Sequence, residues 1–112
     1  PRAIAFMQAN LGRPIGVEAI AEAAGVSRRS LYQLFQAELS RSPARILEEF
    51  RLEQACRLLR ETKDPIPAIA SACGFGTRRT FDRSFLRLKN LSPSAWRRQG
   101  GTGTVDGVSS SG

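Results

Sequence analysis

The chain has 112 residues, 41% of them hydrophobic and 24% charged, which suits one globular domain or two very small ones. Lys and Arg number 17 against 10 Asp and Glu, a net charge of +7 without any histidine, so a Ser-His-Asp triad is excluded and an anionic partner is favoured. Two cysteines without histidine argue against zinc, and no apolar run reaches membrane-spanning length, so the expected location is cytoplasmic and away from membranes.

Ile4, Ala5, Met7 and Leu11 predict a first amphipathic helix ending at Gly12, with Pro14 as a stop beyond it. Val17, Ile20, Ala21 and Ala24 predict a short second helix, ended by Gly25 in a turn that needs a positive φ. Ser27 caps a third helix running to about Leu39. Leu31, Leu34 and Phe35 are expected inward, and Arg28, Arg29, Tyr32, Gln33 and Gln36 outward. Ser42-Pro43 reads as an N-cap followed by proline at the first helical position. The fourth and longest helix, from about Pro43 to Glu61, carries Ala44, Ile46, Leu47, Phe50, Leu52, Ala55, Cys56, Leu58 and Leu59. They span so wide an arc that packing on more than one neighbour is expected. Glu48 and Arg51 fall inside that arc and read as a partly buried pair whose heads meet each other or a phosphate.

Asp64-Pro65-Ile66-Pro67 starts a fifth helix, expected to end at Gly74. Thr77 caps a sixth, to about Lys89, with Phe81 and Phe85 inward and Arg78, Arg79, Asp82 and Arg83 outward. Ser92-Pro93 opens a last short helix that reaches Arg97-Arg98. Residues 99–112 are rich in glycine, serine and threonine and are expected to form a disordered tail. No strand alternation occurs before that tail, so the fold class is all-α. Cys56 and Cys73 are expected to be buried, reduced thiols. The chain begins at Pro1, close to a helical pattern, and is expected to be a fragment of a longer protein.

The second and third helices recur as the fifth and sixth. Ile20-Ala21-x-x-Ala24-Gly25 returns as Ile69-Ala70-x-x-Cys73-Gly74, and Ser27-Arg28-Arg29 as Thr77-Arg78-Arg79, with one extra residue in the second turn. Each copy is followed by Ser-Pro, at Ser42-Pro43 and Ser92-Pro93. Short helix, glycine turn and capped second helix make a helix-turn-helix pattern, whose second helix is the part that enters a DNA major groove.

Two arginines at each of these N-termini oppose the helix dipole, at about 0.3–1 kcal/mol each. An anionic partner supplies a reason for them, and the planar arginine fork suits phosphate and guanine edges. The candidate DNA-binding residues are Arg28, Arg29, Tyr32, Gln33 and Gln36 in the first copy and Arg78, Arg79, Asp82 and Arg83 in the second. Gln33 suits an adenine edge, and Tyr32 a thymine methyl or a phosphate. Asp82 either accepts from a cytosine amino group or holds Arg78 or Arg79 in place, the latter being favoured. Ser27, Ser42, Thr77 and Ser92 read as structural caps. No phosphate loop, metal-ligand cluster or cofactor motif occurs, so neither catalytic residues nor cofactors are expected.

The second copy, with Ile66, Ile69-Ala70, Cys73-Gly74-Phe75, Thr77, Phe81, Arg83, Phe85, Ser92-Pro93 and Trp96-Arg97, closely resembles the DNA-binding domain of the AraC/XylS family of bacterial transcription regulators. Arg51-Leu52-x-x-Ala55-x-x-Leu58-Leu59 in the long helix is similar to the family as well. The likeness covers about residues 1 to 98. It implies seven helices, homeodomain-like, with a first helix-turn-helix subdomain at 1–41, a linker helix at 42–62 and a second subdomain at 63–98. It implies recognition helices at about 27–39 and 77–89 in successive major groove segments of a promoter. Base contacts would fall on Arg29, Tyr32 and Gln33, and on Arg78, Arg79, Asp82 and Arg83. Ser40 and Asn90 stand where the family often has glycine, and Asn90 tolerates the left-handed conformation better than Ser40.

The expected partner is double-stranded DNA, with RNA polymerase as a candidate second one. The isolated domain is expected to be a monomer, and the intact protein a candidate dimer through a further domain. Two alternatives stay open. Only the first helix reads bases while the second clamps the backbone, or the surface docks on an acidic protein. Salt dependence separates the last from DNA binding.

Overall fold

A computed structural model describes residues 2–100; most of the expected tail lies outside the described residues. Seven α-helices make up the regular structure of that span. They are α1 (Arg2–Ala9), α2 (Val17–Ala24), α3 (Arg28–Leu39), α4 (Pro43–Glu61), α5 (Ile66–Ala72), α6 (Arg78–Lys89) and α7 (Pro93–Arg98). The chain divides into two units, one ending at Arg51 and one beginning at Leu52, within α4.

In the first unit Ala3, Met7, Ile20, Ala21, Leu31, Phe35, Ile46 and Leu47 form the core. α1 stops at Ala9 rather than Gly12, because the Asn10 side chain donates to the Phe6 carbonyl at 2.8 Å and its N–H to Met7 at 3.1 Å, which tightens the chain into a turn. Ala3, not Ala5, is the alanine that α1 buries. Gly25 ends α2 in the left-handed conformation (φ 73°), and the next N–H, of Val26, returns to the Ala21 carbonyl. The Ser27 hydroxyl then accepts from the Ser30 N–H at 3.0 Å and opens α3.

Besides Ala5, two residues expected on apolar faces lie outside. Leu34 is 40% exposed, because Leu31 and Phe35 define the buried line of α3 and Leu34 sits on its flank. Ala44, in the first turn of α4, is exposed too, while Ile46 and Leu47 take the buried positions. The Arg51 guanidinium donates to the carbonyls of Leu11 at 3.1 Å and Arg13 at 2.8 Å, and so ties α4 to the turn after α1.

The second unit is built around Leu52, Ala55, Cys56, Leu59, Ile69, Ala70, Cys73, Phe75, Phe81, Phe85 and Trp96. Its aromatics run as a chain of contacts from Phe75 to Phe81, Phe85 and Trp96, with centroids 5.0, 5.7 and 5.8 Å apart in tilted to edge-on geometry. α5 ends at Ala72, before the expected Gly74, which lies beyond it at φ 89° while the Phe75 N–H returns to the Ala70 carbonyl. Thr77 caps α6 through the Thr80 N–H at 3.0 Å, and Ser92 caps α7 through the Ala95 N–H at 3.1 Å. Arg97 repeats the device of Arg51 and donates to the carbonyls of Leu59 and Thr62 at 3.1 and 3.0 Å. Both cysteines are buried thiols, and burial pushes the Cys56 thiol above its ordinary pKa.

Candidate nucleic-acid interface

α3 and α6 are both twelve residues long, start from a hydroxyl cap and end in a left-handed residue, Ser40 at φ 57° and Asn90 at φ 62°. Buried Leu31 and Phe35 in α3, and Phe81, Ser84 and Phe85 in α6, fix how each helix is rotated in its unit. The opposite face of α3 then carries Arg29, Tyr32, Gln33 and Gln36, all exposed. Their i, i+3, i+4, i+7 spacing puts them on one line along the helix, the arrangement by which a helix presents side chains to a groove. On α6 the same line holds Arg79, Asp82, Arg83 and Leu86, where Asp82 is half-buried and the others are exposed.

Leu86 was absent from the residues expected from sequence. The signal was available, since Leu86 takes the place in the second copy that Gln36 takes in the first.

The arginines at the first and second helical positions differ in their surroundings. Arg28 pairs with Glu18 of α2 at 3.3 Å, and Arg78 donates through Nε to Asp82 at 2.9 Å. Asp82, expected to hold Arg78 or Arg79, meets Arg78 in this geometry. Both pairs are exposed, so each contributes at most about 1 kcal/mol and serves mainly to orient its arginine. Among the described residues Arg29, Arg79 and Arg83 enter no ion pair. Two cations thus stand beside helix N-termini without a carboxylate to offset them, at the same position in both copies. Among the described residues no group of His, Cys, Asp and Glu is placed to hold a metal ion.

Residues 20–99 match the helix-turn-helix domain family. An HTH-type transcriptional regulator of Mycobacterium tuberculosis is 42% identical over 79 residues, which is 70% of this chain and 30% of that protein. The chain spans about a quarter to a third of the first curated relatives it matches. A transcriptional regulator of Chromobacterium violaceum, described as an AraC-type DNA-binding domain protein, superposes with a TM-score of 0.84 at 35% identity, covering 90% of each chain. The DNA-binding domain of AdpA, solved with a target DNA, superposes with a TM-score of 0.83 at 29% identity, covering 87% of each.

Proposed function

The chain belongs to the AraC/XylS family of helix-turn-helix domains, and on that premise we propose that it binds a promoter site with α3 and α6. α3 and α6 enter successive major groove segments. Arg29, Tyr32, Gln33 and Gln36 face one, and Arg78, Arg79, Asp82 and Arg83 the other. The observation that carries this reading is the pair of N-terminal arginines, Arg29 and Arg79, exposed and, among the described residues, without a carboxylate partner at matching positions of two helices. Guanine O6 and N7 accept both arms of such a fork. Arg28, drawn toward α2 by Glu18, is assigned to a phosphate, and Arg78, held by Asp82, to a base edge or phosphate beside it.

The protein from which such a domain comes acts as a bacterial transcription regulator, with RNA polymerase as its second partner at the promoter. Its proposed location is the cytoplasm, on the nucleoid when bound to DNA. Among the described residues no helix is long and apolar enough to cross a membrane.

A second reading keeps α3 as the only base reader and makes α6 a backbone clamp. The Arg78–Asp82 pair favours it, because the carboxylate engages part of the arginine fork and so weakens bidentate readout of a base edge by α6. Selection of bound duplexes from a random library at about 150 mM salt, where weak non-specific contacts are screened, tests both readings. Two enriched blocks about one helical turn apart are expected. One block supports the clamp, and no enrichment overturns sequence-specific binding by this chain.

A further inference from the structure

Leu86 is 56% exposed, more than any other large hydrophobic residue described. Single exposed leucines are common on protein surfaces and carry no meaning by themselves. This one is distinguished by its place. It lies opposite the buried line of Phe81, Ser84 and Phe85, so it is not a core residue at the margin. It continues the line of Arg79, Asp82 and Arg83, at i+7, i+4 and i+3 from them. The matching position of α3 carries Gln36, which can hydrogen-bond a base edge as Leu86 cannot.

We propose that Leu86 is a specificity-determining residue that reads the C5-methyl group of a thymine in the groove segment entered by α6. The assignment rests on the function proposed above and deepens it. An aliphatic side chain on a groove face finds one apolar feature there, because every other base-edge group in the major groove is a donor or an acceptor and only thymine adds a methyl. Covering polar edges with leucine leaves donors and acceptors without partners, so a cytosine, adenine or guanine at that place is disfavoured as well. At a rise of 1.5 Å per residue Leu86 stands roughly 10 Å along the axis from Arg79, or about three base steps. The thymine is therefore expected about three base pairs from the guanine that Arg79 grips. The two copies thereby read different chemistry at the same position, an amide in α3 and a methyl in α6.

The test uses the 112-residue chain and the duplex enriched from the random library, with each thymine of the second block replaced in turn by deoxyuridine, which removes only the methyl group. The unmodified chain is expected to bind about fourfold more weakly at one replacement, the equivalent of one apolar carbon left uncovered. Leu86→Ala is expected to keep binding and to lose that difference. Leu86→Gln, copying the first helix, is expected to shift the preferred base at that pair toward adenine. Equal binding of thymine and deoxyuridine duplexes at every position overturns the assignment, and so does a methyl preference that survives Leu86→Ala. Uniform weakening of Leu86→Ala on all duplexes, without methyl dependence, also overturns it and puts Leu86 against the sugar-phosphate backbone or a protein partner. Lack of any enriched sequence removes the parent reading and this one together, whereas enrichment without a methyl effect removes this one alone.

Discussion

At the scale of residues, position on the helix matters more than charge. Arg28 and Arg29 are neighbours in sequence, yet one is turned to Glu18 and the other enters no ion pair among the described residues; Arg78 and Arg79 divide in the same way around Asp82. The division follows from the helical step, since adjacent residues point about 100° apart. Arg51 and Arg97 show a third fate, with both forks consumed by backbone carbonyls. Arg79→Ala is expected to lower discrimination at one base pair by about 1–3 kcal/mol, measured by competition between the matched duplex and single-pair variants. Equal weakening on all duplexes would reassign Arg79 to a phosphate. The arginines were legible as candidates from sequence, because two at an N-terminus conflict with the helix dipole. Which of them engage a carboxylate was less so: Asp82 is on the same helix as Arg78, but Glu18 is brought to Arg28 by the fold.

At the scale of elements, the helix starts and stops are local chemistry. Ser27, Thr77 and Ser92 each accept from the N–H three residues on, and Gly25 and Gly74 take up the positive φ that ends each short helix. Those signals sit in adjacent residues, so they could be read directly. The ends of α3 and α6 are less usual, since Ser40 and Asn90 adopt the left-handed conformation with a Cβ. Ser40→Gly is expected to raise stability by about 0.5–1 kcal/mol by relieving that conformation, and Asn90→Gly by less, as asparagine tolerates it. Urea unfolding with unchanged slope is the check. Should Ser40→Gly destabilise the fold, the gain in unfolded-chain entropy outweighs the relief.

At the scale of the whole molecule, the net charge of +7 sets the expected salt response. DNA binding should weaken with salt by about 0.9 log unit per log unit of salt for each phosphate neutralised. Removing Arg28, proposed to hold a phosphate, should reduce that slope by about one, as read from titrations at several salt concentrations. Arg51 and Arg97 are not expected to contribute, because their donors are engaged within the fold. A slope near zero would favour an acidic protein partner over DNA. α4 supplies Ile46 and Leu47 to one core and Leu52, Ala55, Cys56 and Leu59 to the other, which accounts for an apolar arc too wide for a single interface.

The sequence by itself determined the helices, the repeat, the caps and the two arginine pairs, because each depends on residues within one or two turns of one another. The tertiary structure decided what periodicity leaves open at the edges of an apolar arc. Leu34 was expected inward and is exposed, because burial depends on which neighbouring element covers a flank. It also decided the partners of Arg51 and Arg97, whose carbonyls lie more than thirty residues away along the chain. Contacts at such separation depend on how helices meet, and the composition of one helix carries no record of that.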